Sequence, residues 1–247
     1  LLAGALPRIG ASDTETAAGV CVAADAVALA GGHLVEEPTR RRIAAGTLSV
    51  IDRCHIGEPL AKLFAGIAAR LSGEQAAMSI LHTAVTSAAR DQPRLRSVAG
   101  RHVHVVYFDT VLAAVDTLDD RAWDYLTDAW VQLSRATGAL AALPLALSFR
   151  SWLEVLQGRL GSAASHLAEI EDVVSLTRSR GLLGAPAPAL VLRDAWVEDE
   201  EATRTGARRM MQDAHERGAG IGIDHAYAAL SVLELGAGRY DAALRAA

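Results

Sequence analysis

Apolar side chains recur three and four residues apart along most of the chain, the spacing of one face of a helix. Leu60, Leu63, Phe64, Ile67 and Leu71 follow Pro59, a first-turn proline, in this pattern. Ala77, Ile80, Leu81 and Val85 repeat it after the turn at Ser72-Gly73, so residues 74–90 read as a return helix that Pro93 closes off. Upstream, the pattern predicts helices over residues 13–30, stopped by Gly31-Gly32, and over residues 39–53. Residues 101–108 alternate in a way that suits a strand. No partner strand lies nearby, and they read as a β-branched helix continuing to Val115. The Thr117-to-Asp120 cluster then supplies a turn and an N-cap.

Downstream the pattern sharpens. Trp123, Leu126, Trp130 and Leu133 lie on one helix that ends at Gly138; Leu140, Leu143, Leu147, Trp152 and Leu156 lie on the next, ending at Gly158. Leu160, Ala164, Leu167, Ile170 and Val174 mark a third, ending at Gly181, before a Gly/Pro/Ala loop over residues 182–188. Helices over residues 190–197, 200–217 and 221–235 complete the series. The turns at Gly73, Asp120, Gly158, Asp199 and Gly238 recur about every 40 residues, two helices to an interval. That period predicts an all-α solenoid of antiparallel helical hairpins, tetratricopeptide-like with elongated repeats, in which neighbours complete each other's core. Residues 1–57 fit the period poorly and read as irregular N-terminal helices; residues 58–247 hold four to five hairpins, the last one truncated. The chain starts at Leu1 and stops on the opening phrase of a hairpin, Gly238-Arg239-Tyr240, so both ends read as cuts in a longer protein.

Composition supports helices. Half of the 247 residues are apolar but only 4% are aromatic, so Ala and Leu dominate, and small residues let helices approach closely. A net charge of −5 argues against gripping a nucleic-acid backbone. Lys62 is the only lysine, and Arg40-Arg41-Arg42 reads as a solvated helix start. Cys21 and Cys54 read as buried thiols, which fits a reducing cytoplasm. The apolar run over residues 138–149 is too short to span a bilayer and holds Pro144, and the first residues lack a basic-then-apolar leader.

Little in the chain points to reaction chemistry. No phosphate-binding loop precedes Lys62, and Gly218, Gly220 and Gly222 follow a helix rather than a strand. His102 and His104 are two apart on a helix and diverge, so no metal site is expected. Asp116, Asp119, Asp120, Asp124 and Asp128 form an acidic cluster that in an all-α enzyme would hold Mg²⁺ for diphosphate chemistry. Capping and the helix dipole explain Asp119-Asp120 more simply. Trp123, Trp130, Trp152 and Trp196 either pack between helices or line a groove, and Arg150 either pairs with an acid or faces that groove.

From about Asp119 to its end the chain resembles the helical-repeat region of large LuxR-type, ATP-dependent bacterial transcription regulators. The likeness is carried by Asp119-Asp120-Arg121-Ala122-Trp123, Gly138-Ala139-Leu140, Leu143-Pro144-Leu145-Ala146-Leu147, Arg150, Ala195-Trp196, Arg217-Gly218-Ala219-Gly220 and Leu235-Gly236-Ala237-Gly238-Arg239-Tyr240. Residues 58–118 are similar to the preceding hairpins. The resemblance implies a cytoplasmic sensor or scaffold segment without catalysis or cofactor. It would bind a protein partner or small-molecule inducer, and Trp123, Trp130, Arg150, Trp152 and Trp196, read from the residues themselves, are the candidates for a groove where they do not simply pack between helices. The signal would pass to an ATPase domain upstream and a helix-turn-helix domain downstream, with no contact of its own to nucleic acid or membrane. The competing readings are an Mg²⁺-dependent all-α enzyme built on Asp116–Asp128 and a general protein-interaction repeat.

Overall fold

The computed structural model describes residues 14–177 and 187–247, and within these every regular element is helical. The chain divides into two compact units. One holds the residues up to Leu29 with Val35–Leu126; the other holds Ala30–Leu34 with Thr127–Ala247.

The first unit contains most of α1 (Thr14–Gly31), then α2 (Glu37–Arg53), α3 (Leu60–Ser72), α4 (Ala77–Arg90), α5 (Gln92–Ala99) and α6 (Val103–Asp116). Helix α3 packs on both α2 and α4, and α4 packs on α6. Its core includes Phe64, Ile67, Leu81, Leu95, Tyr107 and Phe108. The β-branched stretch is helical, as its lack of a partner strand predicts. Helix α5 is a correction. Pro93 does not close off a connection; it sits in the first turn of a helix. Asp91 caps that helix, its side chain accepting from the Arg94 N–H at 3.1 Å. Helix α1 is long and apolar enough to cross a membrane by length and composition, yet 61% of the qualifying window is buried within the fold. It also carries a fully buried aspartate, Asp25.

The second unit contains the rest of α7 (Asp120–Ala136), then α8 (Leu143–Leu156), α9 (Leu160–Thr177), α10 (Pro188–Trp196), α11 (Glu200–Arg217), α12 (Gly220–Gly236) and α13 (Tyr240–Ala246). Neighbouring helices pack on one another: α8 on α9, α10 on α11, α11 on α12 and α12 on α13. Helix α10 also touches α8 and α12. An alanine-rich core of Ala163, Ala195, Ala207, Ala226 and Ala229 with Val191, Met210 and Leu233 joins these helices. The predicted end of α9 at Gly181 and the loop over residues 182–188 fall largely outside the described residues.

Four of the turns between helices share one geometry. At Leu118, Gly158, Glu198 and Gly238 the backbone is left-handed, with φ of 52, 73, 60 and 69°. The next residue's N–H reaches five residues back in each case: Asp119 to Ala114, Arg159 to Glu154, Asp199 to Asp194 and Arg239 to Glu234, at 2.8–3.0 Å. This is a Schellman-type helix stop at positions 40 residues apart. Where aspartate follows the stop it also caps the next helix: Asp119 accepts from the Ala122 N–H and Asp199 from the Ala202 N–H, each at 3.0 Å. The same left-handed stop also ends helices outside this register at Gly73, Gly138 and Gly218. Leucine and glutamate do not favour positive φ, so the neighbouring packing and caps hold two of the four turns in place.

Two contacts go beyond a stack of nearest neighbours. Trp152 of α8 meets His225 of α12 edge-on, with ring centroids 4.1 Å apart. The segment Ala30–Leu34 packs on the start of α12, where His33 pairs with Asp224 at 3.1 Å. Gly220 is required there, since a Cβ would stand 2.2 Å from the Gly31 carbonyl oxygen. The Gly218–Gly222 run is thus a helix stop plus a close-approach site.

Candidate functional site

The five residues expected to line a groove take different positions. Trp123 belongs to the first unit and is buried. In the second unit Trp130 is fully buried and lies 6.4 Å from Phe149, which stacks on Trp152 at the same centroid distance. Trp152 continues the row to His225. Trp130, Phe149, Trp152 and His225 therefore form an aromatic seam inside the unit, as packing between helices requires. Burial holds His225 neutral, its pKa lowered to about 3. Trp196, at the end of α10, is 49% exposed and presents its ring to solvent.

Arg150 pairs with an acid, Glu154, one turn further along α8 (3.2 Å). Glu154 is 2% exposed and is the centre of a small polar cage. The Ser162 hydroxyl donates to it at 2.8 Å and the His166 ring meets it at 3.0 Å, both from α9. Eighty residues on, buried Glu234 holds Arg204 of α11 and Arg239 of the turn. Both glutamates occupy the residue whose carbonyl closes the helix stop. Each fastens its helix to the neighbouring helix or turn through charge-assisted bonds. This job is structural, and the sequence signal for it is the acid four residues before a left-handed glycine.

The acidic cluster is dispersed in its partners. Asp116 pairs with Arg70 at 2.6 Å, Asp119 is an N-cap lying 3.7 Å from His82, and Asp128 accepts from Gln132 at 2.7 Å. Among the described residues no three His, Cys, Asp or Glu side chains converge as metal ligands. The Mg²⁺ reading needs such a convergence.

Two carboxyl groups that the apolar pattern concealed lie at the centre of the first unit. Asp25 of α1 and Asp109 of α6 are both fully buried. The Thr47 hydroxyl donates to Asp25 at 3.1 Å, while neither oxygen of Asp109 has a hydrogen-bond partner. Burial, aided by the nearby Asp25 charge, pushes the Asp109 carboxyl well above the usual range. Burial raises Asp25 to about 8, opposed by the Thr47 bond. Burial and Asp25 also raise the buried Cys21 thiol to about 12, so it is inert as a nucleophile. The group is a buried patch of two neutral acids beside the Cys21 thiol. The visible signal is a lone Asp inside an apolar helix, as in Tyr107-Phe108-Asp109-Thr110-Val111.

Beside α1, a cavity of roughly 300 Å³ is lined by Ala18, Ile56, Gly57, Leu60, Val98, Ala99 and His102. Its polar edge is His102, whose Nε2 accepts from the Arg101 Nε–H at 3.2 Å. No family model matches the chain, and no curated protein or solved structure matches it.

Proposed function

We propose that the chain is a tetratricopeptide-like repeat segment without catalytic function, a sensor or scaffold region of a LuxR-type transcriptional regulator. It binds a protein partner or small-molecule inducer and relays that event to ATPase and helix-turn-helix domains elsewhere in the parent protein. The observation that carries the reading is the 40-residue recurrence of one helix stop at Leu118, Gly158, Glu198 and Gly238. A repeated hairpin is a packing module whose outer faces bind partners, and catalysis needs no such repetition. The dispersed aspartates favour it over the Mg²⁺ enzyme. Apolar side chains left open on the later helices, Trp196, Tyr227, Tyr240 and Leu244, suit a protein partner or further hairpins.

Reading the gene on both sides of this segment tests the proposal. A Walker-type ATPase upstream and a helix-turn-helix domain downstream are expected. A reading frame with neither rejects the regulator and leaves a general interaction module.

A further inference from the structure

We infer that the face formed by α12 and α13 is a seat for one more helix, a glycine- and alanine-rich helix of α12's own pattern that opens a further hairpin. The 40-residue register carries this. Ser148, Ser151 and Val155 of α8 are buried, and α10 packs on that helix. Forty residues on, Pro188, Val191 and Ala195 of α10 are buried, and α12 packs on both α10 and α11. Forty further on, Ala228 and Leu235 of α12 are exposed and Ser231 is half-buried. Ala228 and Ser231 border a groove of roughly 700 Å³ that Tyr227, Arg245 and Ala246 also line. The same positions are thus covered twice and then left open.

The walls keep the earlier spacing. Gly206 of α11 faces Val191 of α10 so closely that a Cβ there would stand 2.9 Å from the valine. At the equivalent positions of α13 and α12, small and large change over to Ala246 and Ser231. Helix α12 shows what fits such a seat. A Cβ on its Gly222 would stand 3.1 Å from the Ala214 methyl of α11, and its Ala226, Ala229 and Leu233 share a core with Val191 and Ala207. Small residues at i, i+4 and i+7 lie on one helix face and let backbones approach closely. Tyr227 and Leu235, 44% and 54% exposed, offer the apolar area that a covering helix would bury.

The seat rests on the repeat reading of the proposed function. With a period of 40, residues 208–247 appended once more after Ala247 continue the register, extending α13 to the length of α11 and adding a copy of α12. Urea unfolding of this extended chain beside the parent is the test. A higher midpoint with a steeper slope is expected, since more surface is buried on folding. Glutamate at the copies of Ala226 and Ala229 should remove the gain. Leu235→Gln should lower the extended chain's midpoint at least twice as far as the parent's. Should the extended chain not stay soluble, a lysine-tagged peptide of residues 218–237, titrated into the unaltered chain, should give saturable methyl shifts at Ala228, Leu235 and Ala246. An unchanged midpoint, a gain that survives the glutamates, equal effects of Leu235→Gln in both chains, or silent methyls would each overturn the seat. Positive φ at Leu118 and Glu198 alongside such a failure would leave the repeat standing, whereas its loss there would reject the repeat as well.

Discussion

Replacing Asp109 with asparagine is expected to stabilise the fold, and by more at pH 7 than at pH 5. Asp109 is fully buried and neither carboxyl oxygen has a partner. Its folded pKa is raised well above 3.8, with burial the main cause and Asp25 the second. The native state therefore keeps a proton that the unfolded chain releases. For a raised pKa, the stability linked to that proton is complete below the unfolded value and is lost as pH rises towards the folded one. The loss is about 1.4 kcal/mol per pH unit. The parent chain is therefore less stable at pH 7 than at pH 5 by the part of this loss that falls below the folded pKa. Asparagine has nearly the same shape and does not titrate, so it should match the parent near pH 4 and pull ahead above it. Asp25 contributes a similar slope between about 4 and about 8. Urea midpoints for both proteins from pH 4 to pH 8 decide the matter. Parallel curves would show that Asp109 is ionised and partnered in solution.

Removing the Glu154 side chain as alanine should cost about 1–3 kcal/mol, because it leaves the partly buried Arg150 and His166 without their shared acceptor. Arg150 at 3.2 Å, Ser162 at 2.8 Å and His166 at 3.0 Å all depend on it, and its own side chain is 2% exposed. The exposed pair Arg135–Glu169, at 2.5 Å, makes the control. Truncating Arg135 should change stability by less than about 1 kcal/mol, since solvent screens such pairs. Burial, not the presence of an ion pair, sets the difference. Replacing Arg150 and Glu154 together by leucine should recover much of the loss, because no unpaired charge then remains on α8. Denaturant midpoints at constant slope provide the readout. A Glu154→Ala protein within about 0.5 kcal/mol of the parent would mean that water already shares the cage.

Local features were legible in the sequence and long-range ones were not. The helices from Trp123 onward could be placed because their apolar spacing and terminal glycines agree, and the predicted span over residues 200–217 matches α11. Gly158 and Gly238 announced two stops, since glycine tolerates positive φ. The stops at Leu118 and Glu198 were visible only through the caps that follow them, Asp119 and Asp199. Helix α5 was missed because a proline marks either an end or a first turn, and Asp91 as the cap decides which. The groove residues illustrate the other limit. Periodicity places Trp130 and Trp196 on helices without saying that one is buried and the other open. The approach of Gly220 to Gly31, the Trp152–His225 contact and the meeting of Asp25 with Asp109 join residues far apart in the chain. A single sequence carries no trace of such pairings.

The functional reading depends on the 40-residue recurrence, and its least expected part is the left-handed backbone at two residues that are not glycine. Three-bond HN–Hα couplings and backbone chemical shifts at Leu118 and Glu198 measure that directly. Positive φ at both, near the 52 and 60° of the structure, is the result the repeat predicts. Ordinary right-handed or extended values at either position would break the register and, with it, the repeat on which the proposed function stands.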